Sequence, residues 1–232
     1  MQQQDIVTPQ PVESEVIIET RSLSRVYPGV VALDNVNYRV YRNKVNVLIG
    51  ENGAGKSTMM KMLAGVETPS SGEIFLDGTP VSMNSTHQAE KLGISIIFQE
   101  LNLFPNMNVM DNIFMANEFF QKGKINEKYQ YALAQSLLKR LELDVDPYTP
   151  LEELGIGHQQ LVEIARALSK DTRVLIMDEP TSALSQSEVK ILFNVIEQLK
   201  RRGVTIIYIS HRLEELIEIG DYITIFRDGR FI

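Results

Sequence analysis

Four apolar runs along the chain are continuous rather than alternating, and β-branched residues are frequent in them. They lie at residues 45–49, 93–98, 174–177 and 204–209. Strands with this composition are usually covered by helices on both faces, as in parallel sheets. The pattern therefore predicts an α/β protein with a mainly parallel central sheet.

Other segments predict antiparallel strands beside that sheet. A strand starts at Val16, and residues 32–40 alternate as one half-buried strand would, so two strands are expected before the run at 45–49. Pro28-Gly29 marks a turn, and Asp77-Gly78 and Asp228-Gly229 are hairpin signals. The pattern predicts an antiparallel β subdomain.

Between Gln99 and Leu168 strand signals are few, which predicts an inserted helical subdomain at about residues 100–168 within a core at about 15–99 and 169–232. Ser185 and Glu188 have the spacing of a capping box at a helix start. Three helices are predicted from apolar positions with helical spacing: Tyr131, Ala134, Leu137, Leu138 and Leu141; Leu161, Ile164, Ala165 and Leu168; Val189, Leu192, Phe193, Ile196 and Leu199.

Composition excludes several classes of protein. The 232 residues carry a net charge of −7, and no long Lys/Arg cluster is present, so nucleic acid is not an expected ligand. The absence of cysteine excludes disulfides and thiolate metal sites. Residues 1–14, rich in Gln and Pro, are interpreted as a flexible tail. Because no apolar run is long enough to span a bilayer, we expect membrane association only through a partner.

The segment after the run at 45–49 has the composition of a phosphate-binding loop. Glycines let backbone N–H groups approach a triphosphate, and the following helix directs its N-terminus at the anion. In the G-x-x-x-x-G-K-[ST] pattern, Lys56 reaches the outer phosphates and Ser57 binds Mg²⁺. The alternative is a glycine-rich turn without function. The predicted loop comprises Gly50, Glu51, Asn52, Gly53, Ala54, Gly55, Lys56, Ser57 and Thr58.

Two carboxylates and a histidine are predicted at one edge of the sheet. Asp178 and Glu179 follow the run at 174–177, and His211 follows the run at 204–209. Ligands collect at the carboxyl ends of parallel strands. Asp178 is predicted to bind Mg²⁺, Glu179 to orient the attacking water, and His211 to sense the γ-phosphate. A solvated acidic turn and a structural histidine are the alternatives.

Gln99 and Tyr27 are two further candidates. Gln99 follows a predicted sheet strand, from which it would reach the same metal and water. Tyr27 lies at a strand end before the phosphate loop, where its ring would stack on adenine. Packing of this ring on the sheet is the alternative.

Taken together, these segments resemble the ATP-binding subunit of ABC transporters, a type of P-loop NTPase, from about residue 17 to 232. Residues 99–106 and 162–165 resemble the sugar importers of the ribose, galactose and xylose type. The resemblance implies hydrolysis of ATP with Mg²⁺ and head-to-tail pairing with a second ABC domain, whose signature motif closes each ATP site. It also implies a membrane permease, an extracytoplasmic sugar-binding protein, and a peripheral location on the cytoplasmic face of a bacterial inner membrane.

The signature motif departs from the family pattern. Leu-Ser-Gly-Gly-Gln is expected, whereas the chain has Leu154, Gly155, Ile156, Gly157 and His158. Gly155 lacks the hydroxyl for the partner's γ-phosphate, and one such charged hydrogen bond is worth about 1.5 to 3 kcal/mol, roughly 10- to 100-fold. The resemblance therefore implies an unequal pair of ATP sites.

In the family that it resembles, two such domains are fused, and we expect this chain to be the N-terminal half of a tandem protein. Its end shortly after the Asp228-Gly229 hairpin favours that interpretation. Three rivals stay open: an ABC protein for another substrate or an exporter, a soluble ABC protein that acts on ribosomes or DNA, and a domain that binds ATP without hydrolysis.

Overall fold

The computed structural model describes residues 15–121 and 123–231. The predicted tail at residues 1–14 lies outside this part of the chain. The strands are β1 (Val16–Tyr27), β2 (Val30–Val36), β3 (Arg39–Tyr41), β4 (Val45–Gly50), β5 (Ser71–Leu76), β6 (Thr79–Val81), β7 (Ile94–Ile97), β8 (Phe120–Gln121), β9 (Lys124–Ile125), β10 (Val174–Asp178), β11 (Thr205–Ile209), β12 (Tyr222–Arg227) and β13 (Arg230–Phe231). The helices are α1 (Lys56–Leu63), α2 (Thr86–Lys91), α3 (Val109–Phe114), α4 (Glu127–Arg140), α5 (Ile156–Leu168), α6 (Gln186–Arg201) and α7 (Leu213–Ile219).

The central sheet has the order β13-β12-β4-β11-β10-β7. Every pair is parallel except the terminal β12–β13 hairpin, which is antiparallel. The four continuous apolar runs of the sequence form β4, β7, β10 and β11, so the predicted parallel sheet is confirmed. Because the strands are parallel, the segments that follow β4, β7, β10 and β11 all leave from one edge of the sheet.

Both faces of this sheet are buried, which explains why its strands have no polar alternation. In β10, Leu175 and Met177 pack into one hydrophobic core with the apolar faces of α3 to α7. Val174 and Ile176 point to the opposite face and pack into a second core with α1 and the antiparallel sheet. Successive side chains of a strand alternate between faces, so a strand that is covered on both sides must be apolar throughout.

The antiparallel sheet has the order β2-β1-β5-β6, and β3 also pairs with β1. The single strand predicted at 32–40 is wrong, because it is divided into β2 and β3. The Thr20 hydroxyl donates to the Val36 carbonyl and accepts the Tyr38 N–H, and Asn35 has a φ of +50°. These features interrupt the strand, so three strands precede β4 instead of the predicted two.

The segment after β7 is mostly helical, as predicted. Helices α3, α4 and α5 pack on one another and share the larger hydrophobic core. The sequence interpretation missed the short β8–β9 hairpin and helices α2 and α7. The capping box between Ser185 and Glu188 is present at the start of α6. Within the described residues, no helix has the length and apolar character that crossing a membrane requires.

Candidate functional site

The loop between β4 and α1 depends on glycine at specific positions. Gly55 precedes α1 with a φ of +102°, and a Cβ there would lie 2.5 Å from the Ala32 carbonyl oxygen. At Gly50, a Cβ would lie 2.2 Å from the carbonyl oxygen of Phe226. Both contacts are too short for any side chain, so the loop packs directly against β2 and β12. Gly53 has a φ of +82° and open space around it, so it faces outward.

Lys56, in the first turn of α1, lies across this loop. Its Nζ donates to the carbonyl oxygens of Gly50 at 2.7 Å and Glu51 at 2.9 Å. Burial lowers the pKa of Lys56, whereas the nearby carboxylates of Glu179 and Asp178 raise it. The ammonium group is therefore held at the mouth of the loop by neutral carbonyls, which a phosphate could replace as partners.

An open cleft of about 600 Å³ lies at the carboxyl edge of the central sheet. This volume is in the range of ligand pockets. The cleft brings together the phosphate loop, the ends of β7 and β10, the start of β2 and the β12–β13 turn. Its lining residues are Val30, Val31, Ala32, Asn52, Gly53, Gly55, Lys56, Ser57, Thr58, Gln99, Asp178, Glu179, Asp228 and Gly229.

Asp178 and Glu179 occupy the end of β10 in different ways. Burial raises the pKa of Asp178, and the neighbouring Glu179 charge adds to this, while Ser57 and Lys56 act in the opposite direction. Glu179 has a φ of +48°, and its N–H donates to the Ile209 carbonyl of β11 at 3.0 Å. A positive φ is uncommon for a residue other than glycine and often marks a functional position.

His211 meets Glu179 at the same edge. The Nδ1 atom of His211 lies 3.1 Å from Glu179 Oε1. The imidazole is 57% exposed, whereas the glutamate side chain is only 16% exposed. The structure therefore places His211 beside the predicted catalytic carboxylate, although His211 itself is not among the residues that line the cleft.

Tyr27 does not line the cleft. It lies at the end of β1, where the Arg25 guanidinium stands 4.8 Å from the ring centroid and Glu67 accepts the phenolic hydrogen. Val30 and Val31, on the other side of the β1–β2 turn, supply exposed apolar surface to the cleft instead. Stacking of adenine on Tyr27 stays a prediction.

The altered signature lies away from this cleft, at the N-terminus of α5. Leu154 precedes the helix and Gly155 caps it, with open space where a side chain would begin. Ile156 is 48% exposed, and His158 is also exposed. The N–H of Gly157 donates to Glu188 Oε1 of α6 at 3.1 Å. None of these residues lines the cleft, so this chain's signature segment and phosphate loop do not form one site.

Sequence reasoning missed the residues that complete the walls of the cleft. Only Ala32 falls in the strand predicted at residues 32–40, Val30 and Val31 have no predicted role, and Asp228 and Gly229 are predicted only as a hairpin turn. Their contribution depends on β2 and the β12–β13 hairpin packing against the loop, which no local pattern encodes. The close approach of Gly229 to Ala32 carries this packing, since a Cβ there would lie 2.9 Å from the Ala32 carbonyl.

A parallel sheet with a glycine loop before a helix, a lysine folded over that loop and carboxylates at the same sheet edge defines a P-loop nucleotide-binding protein. The family model described as ABC transporter matches residues 33–182, and the chain belongs to that family. The matched range contains the loop, Gln99, the signature segment, Asp178 and Glu179.

Several relatives are ATP-binding proteins of sugar import. The chain is 51% identical to the xylose import ATP-binding protein XylG of Thermoanaerobacter pseudethanolicus, over 94% of this chain and 44% of that protein. It is 46% identical to the ribose import ATP-binding protein RbsA 1 of Rubrobacter xylanophilus, over 93% of this chain and 43% of the relative. The L-arabinose transport ATP-binding protein AraG of Geobacillus stearothermophilus is 46% identical, over 94% of this chain and 43% of that protein. The chain spans less than half the length of these relatives.

Solved structures agree on the fold. A nucleotide-free ATP-binding cassette from an ABC transporter superposes with a TM-score of 0.82 at 25% identity, covering 94% of this chain and 90% of that one. CbiO1 of Clostridium perfringens, part of the ABC transporter complex cbiONQ, gives a TM-score of 0.81 at 29% identity, with 94% and 87% covered. The predicted ABC-type P-loop fold is thereby confirmed.

Proposed function

We propose that this chain is the ATP-binding and hydrolysing domain of an importer that moves a sugar through a membrane permease. The observation that carries the proposal is the single cleft that joins the phosphate loop, Gln99, Asp178 and Glu179. The sugar-import names of the relatives support the substrate class. Such a domain would work at the cytoplasmic face of the membrane, and an extracytoplasmic binding protein would deliver the sugar.

The candidate residues in and beside the cleft have separate proposed roles. The backbone N–H groups of the loop and Lys56 bind the phosphates, because they combine a helix N-terminus with a cation. Glu179 orients the attacking water, and His211, 3.1 Å from it, contacts the γ-phosphate. Tyr27, which lies at the end of β1 outside the lining of the cleft, stacks its ring on the adenine. Most of the catalysis would come from positioning and charge stabilisation.

The residues at the β10 edge also fit a magnesium ion. Ser57, Gln99 and Asp178 offer hydroxyl, amide and carboxylate oxygens, the donors that Mg²⁺ prefers. Burial, and to a smaller extent the Glu179 charge, raises the pKa of the Asp178 carboxyl, and a bound divalent cation would favour its ionised form. When bound, the ion would neutralise phosphate charge. Lys56 and the loop would hold the phosphates in place around it.

We also propose that the native protein carries a second ABC domain that completes the site. The relatives are more than twice as long as this chain, which leaves room for another domain of its size. The second domain's signature would close this chain's cleft, while Leu154, Gly155, Ile156, Gly157 and His158 would face the nucleotide of the second domain. The two ATP sites would then be unequal.

The test uses the full-length protein assembled with its permease. Glu179→Gln should retain bound ATP and lower the turnover number for ATP by roughly 100-fold or more, the usual loss for a general base. Gly155→Ser should change turnover little, because Gly155 belongs to the segment that would face the nucleotide of the second domain. A Gln variant that kept most of its ATPase activity would remove Glu179 from its assigned role.

The transport assignment has a separate test. Purification of the full-length protein from its native membrane should recover a permease, and sugar-loaded binding protein should stimulate the ATPase of the assembled complex. Recovery of ribosomes or DNA with the protein, and no permease, would favour the soluble class of ABC protein instead.

A further inference from the structure

A buried carboxylate behind the cleft is not explained by nucleotide binding. Glu215 lies in the first turn of α7, and its side chain is only 7% exposed. Its Oε1 accepts a hydrogen bond from Thr181 Oγ1 at 2.8 Å, and its Oε2 accepts from Ser210 Oγ at 2.8 Å and Tyr208 Oη at 2.9 Å. Arg212 adds a longer contact to Oε1 at 3.4 Å. A buried carboxylate needs such partners, and here both oxygens have them.

The hydrogen-bond donors to Glu215 include residues from the segment that carries Glu179 and from the segment that carries His211. Thr181 is two residues after Glu179, in the segment that leaves β10. Ser210 and Arg212 flank His211, and Ser210 Oγ also accepts the Arg212 N–H at 3.1 Å. One carboxylate therefore fixes the segment that carries Glu179 and the segment that carries His211 relative to each other.

Tyr208 makes a different contribution. It lies within β11 at 0% exposure, with Ile207 and Ile209 on the opposite face of the sheet. Burial raises the pKa of its phenol, and the Glu215 charge raises it further, so the hydroxyl stays protonated and donates. Because β11 is paired on both edges, with β10 and β4, it needs no hydrogen bond to Glu215 to stay in place.

We propose that Glu215 is a positioning residue for ATP hydrolysis, which sets the Glu179–His211 distance through Thr181 and Ser210. This inference rests on the proposed function. His211 is mostly exposed, so packing does not hold its side chain in place, and the positive φ of Glu179 is a strained conformation that the surrounding structure must maintain. The hydrogen bonds from Thr181 and Ser210 to Glu215 restrain the two segments that carry Glu179 and His211, and Glu215 itself does not line the cleft.

The experiment measures steady-state ATPase and ATP affinity of the full-length assembled protein. Glu215→Gln keeps the shape of the side chain but replaces one acceptor oxygen with a donor. We expect the turnover number to fall roughly 10- to 100-fold, as for other residues that orient catalytic groups, while the KM for ATP changes less than about twofold. Thr181→Val and Ser210→Ala should each lower turnover in the same direction.

Tyr208→Phe is the matched control, since it also removes one hydrogen bond to Glu215 but leaves the two segments attached. Its turnover number should stay within about twofold of the wild type. If Tyr208→Phe lowered turnover as much as Glu215→Gln, Glu215 would be a general structural residue and the inference would be overturned.

Glu179→Gln in the same assay distinguishes failure of the positioning role from failure of the proposed function. If it is inactive and Glu215→Gln is fully active, the positioning role fails and the proposed function stands. If the wild type hydrolyses no ATP, the proposed function fails. If Glu179→Gln is fully active, the catalytic role of Glu179 fails, and the inference, which rests on that role, fails with it. Should Glu215→Gln not fold, the Thr181→Val and Ser210→Ala variants decide, because normal turnover in both would overturn the inference.

Discussion

Helices α1 and α5 each begin after a glycine, Gly55 and Gly155, and both starts belong to motifs that contact nucleotide in the family pattern. At α1, the glycine has a φ of +102° and packs against β2 with no room for a side chain. At α5, the glycine has a φ of −63° and open space around it. The first position requires glycine, and the second accepts it.

The two helix starts also differ in what the first N–H groups meet. The α1 start opens on the cleft, with the Lys56 ammonium beside it. At α5, the N–H of Gly157 is already bonded to the carboxylate of Glu188, which also caps α6. A helix N-terminus attracts anions in general, so the same backbone feature serves a ligand at one place and an internal carboxylate at the other. Similar local geometry therefore does not by itself define a binding site.

The largest expected effect is the loss of ATP affinity when the Lys56 ammonium is removed from the start of α1. Lys56→Ala should weaken ATP binding roughly 1000-fold, about 4 kcal/mol, because two charge-assisted hydrogen bonds to phosphate would be lost. Isothermal titration of the full-length protein with ATP would measure this. Lys139→Ala, at an exposed position near the end of α4, is the control and should leave affinity unchanged. Equal affinity in the wild type and Lys56→Ala would mean that α1 is no more a nucleotide site than α5.

The next largest effect is the loss of protein stability when each of the two glycines is replaced by alanine. Gly55→Ala should lower the free energy of unfolding by about 2 to 3 kcal/mol, since alanine is strained at a positive φ and its Cβ would overlap the Ala32 carbonyl. Gly155→Ala should stay within about 0.5 kcal/mol of the wild type. Urea denaturation would measure both. Equal losses would show that the α5 start is as constrained as the α1 start.

The smallest effect concerns the carboxylate at the α5 start. Glu188→Ala should lower the free energy of unfolding by about 1 kcal/mol at pH 7, because it removes the capping box of α6 and the partner of Gly157. Glu197→Ala, on the same helix in a partly exposed ion pair with Lys200, should cost less than about 0.5 kcal/mol.

This effect should depend on pH in one direction. Hydrogen bonds from Ser185, first its side chain and then its N–H, lower the pKa of Glu188 below 4.5 in the folded protein. The stabilisation is therefore present at pH values above the unfolded pKa and is lost as the pH falls through the folded one. Wild type and Glu188→Ala should converge in acid. A difference that stays constant down to pH 2 would contradict an ionised carboxylate at the α5 start.

A second carboxylate near the signature segment, Glu163 on α5 itself, is buried and was not recognised from the sequence. Glu163 occupies a position on the apolar face of α5, and burial raises its pKa to about 7. It accepts the Asn102 N–H at 3.3 Å, while the Asn102 carbonyl accepts from Arg166 at 2.8 Å. The segment after Gln99 is thus attached to the helix that begins at the signature. The helical periodicity of the sequence predicted where α5 lies but gave no indication of this attachment.

The elements with strong local patterns were predictable from the sequence. Continuous apolar runs gave the four central strands, and helical spacing gave α4, α5 and α6. The short helices α2 and α7 and the β8–β9 hairpin were missed because elements of two to seven residues carry too few periods to be read. The division of residues 32–40 into two strands depends on Thr20, a residue of the neighbouring strand.

By itself, the sequence determined the phosphate loop, the four central strands, helices α4, α5 and α6, and the residues that end the strands at one edge, because these depend on local composition and spacing. Only the tertiary structure decided that β4 lies between β11 and β12, that Val31 and Asp228 border the cleft, and that Glu215 holds Thr181 and Ser210. These relations join residues that are far apart in the chain. They follow from strand pairing and from the need of buried polar groups for partners, which local patterns do not encode.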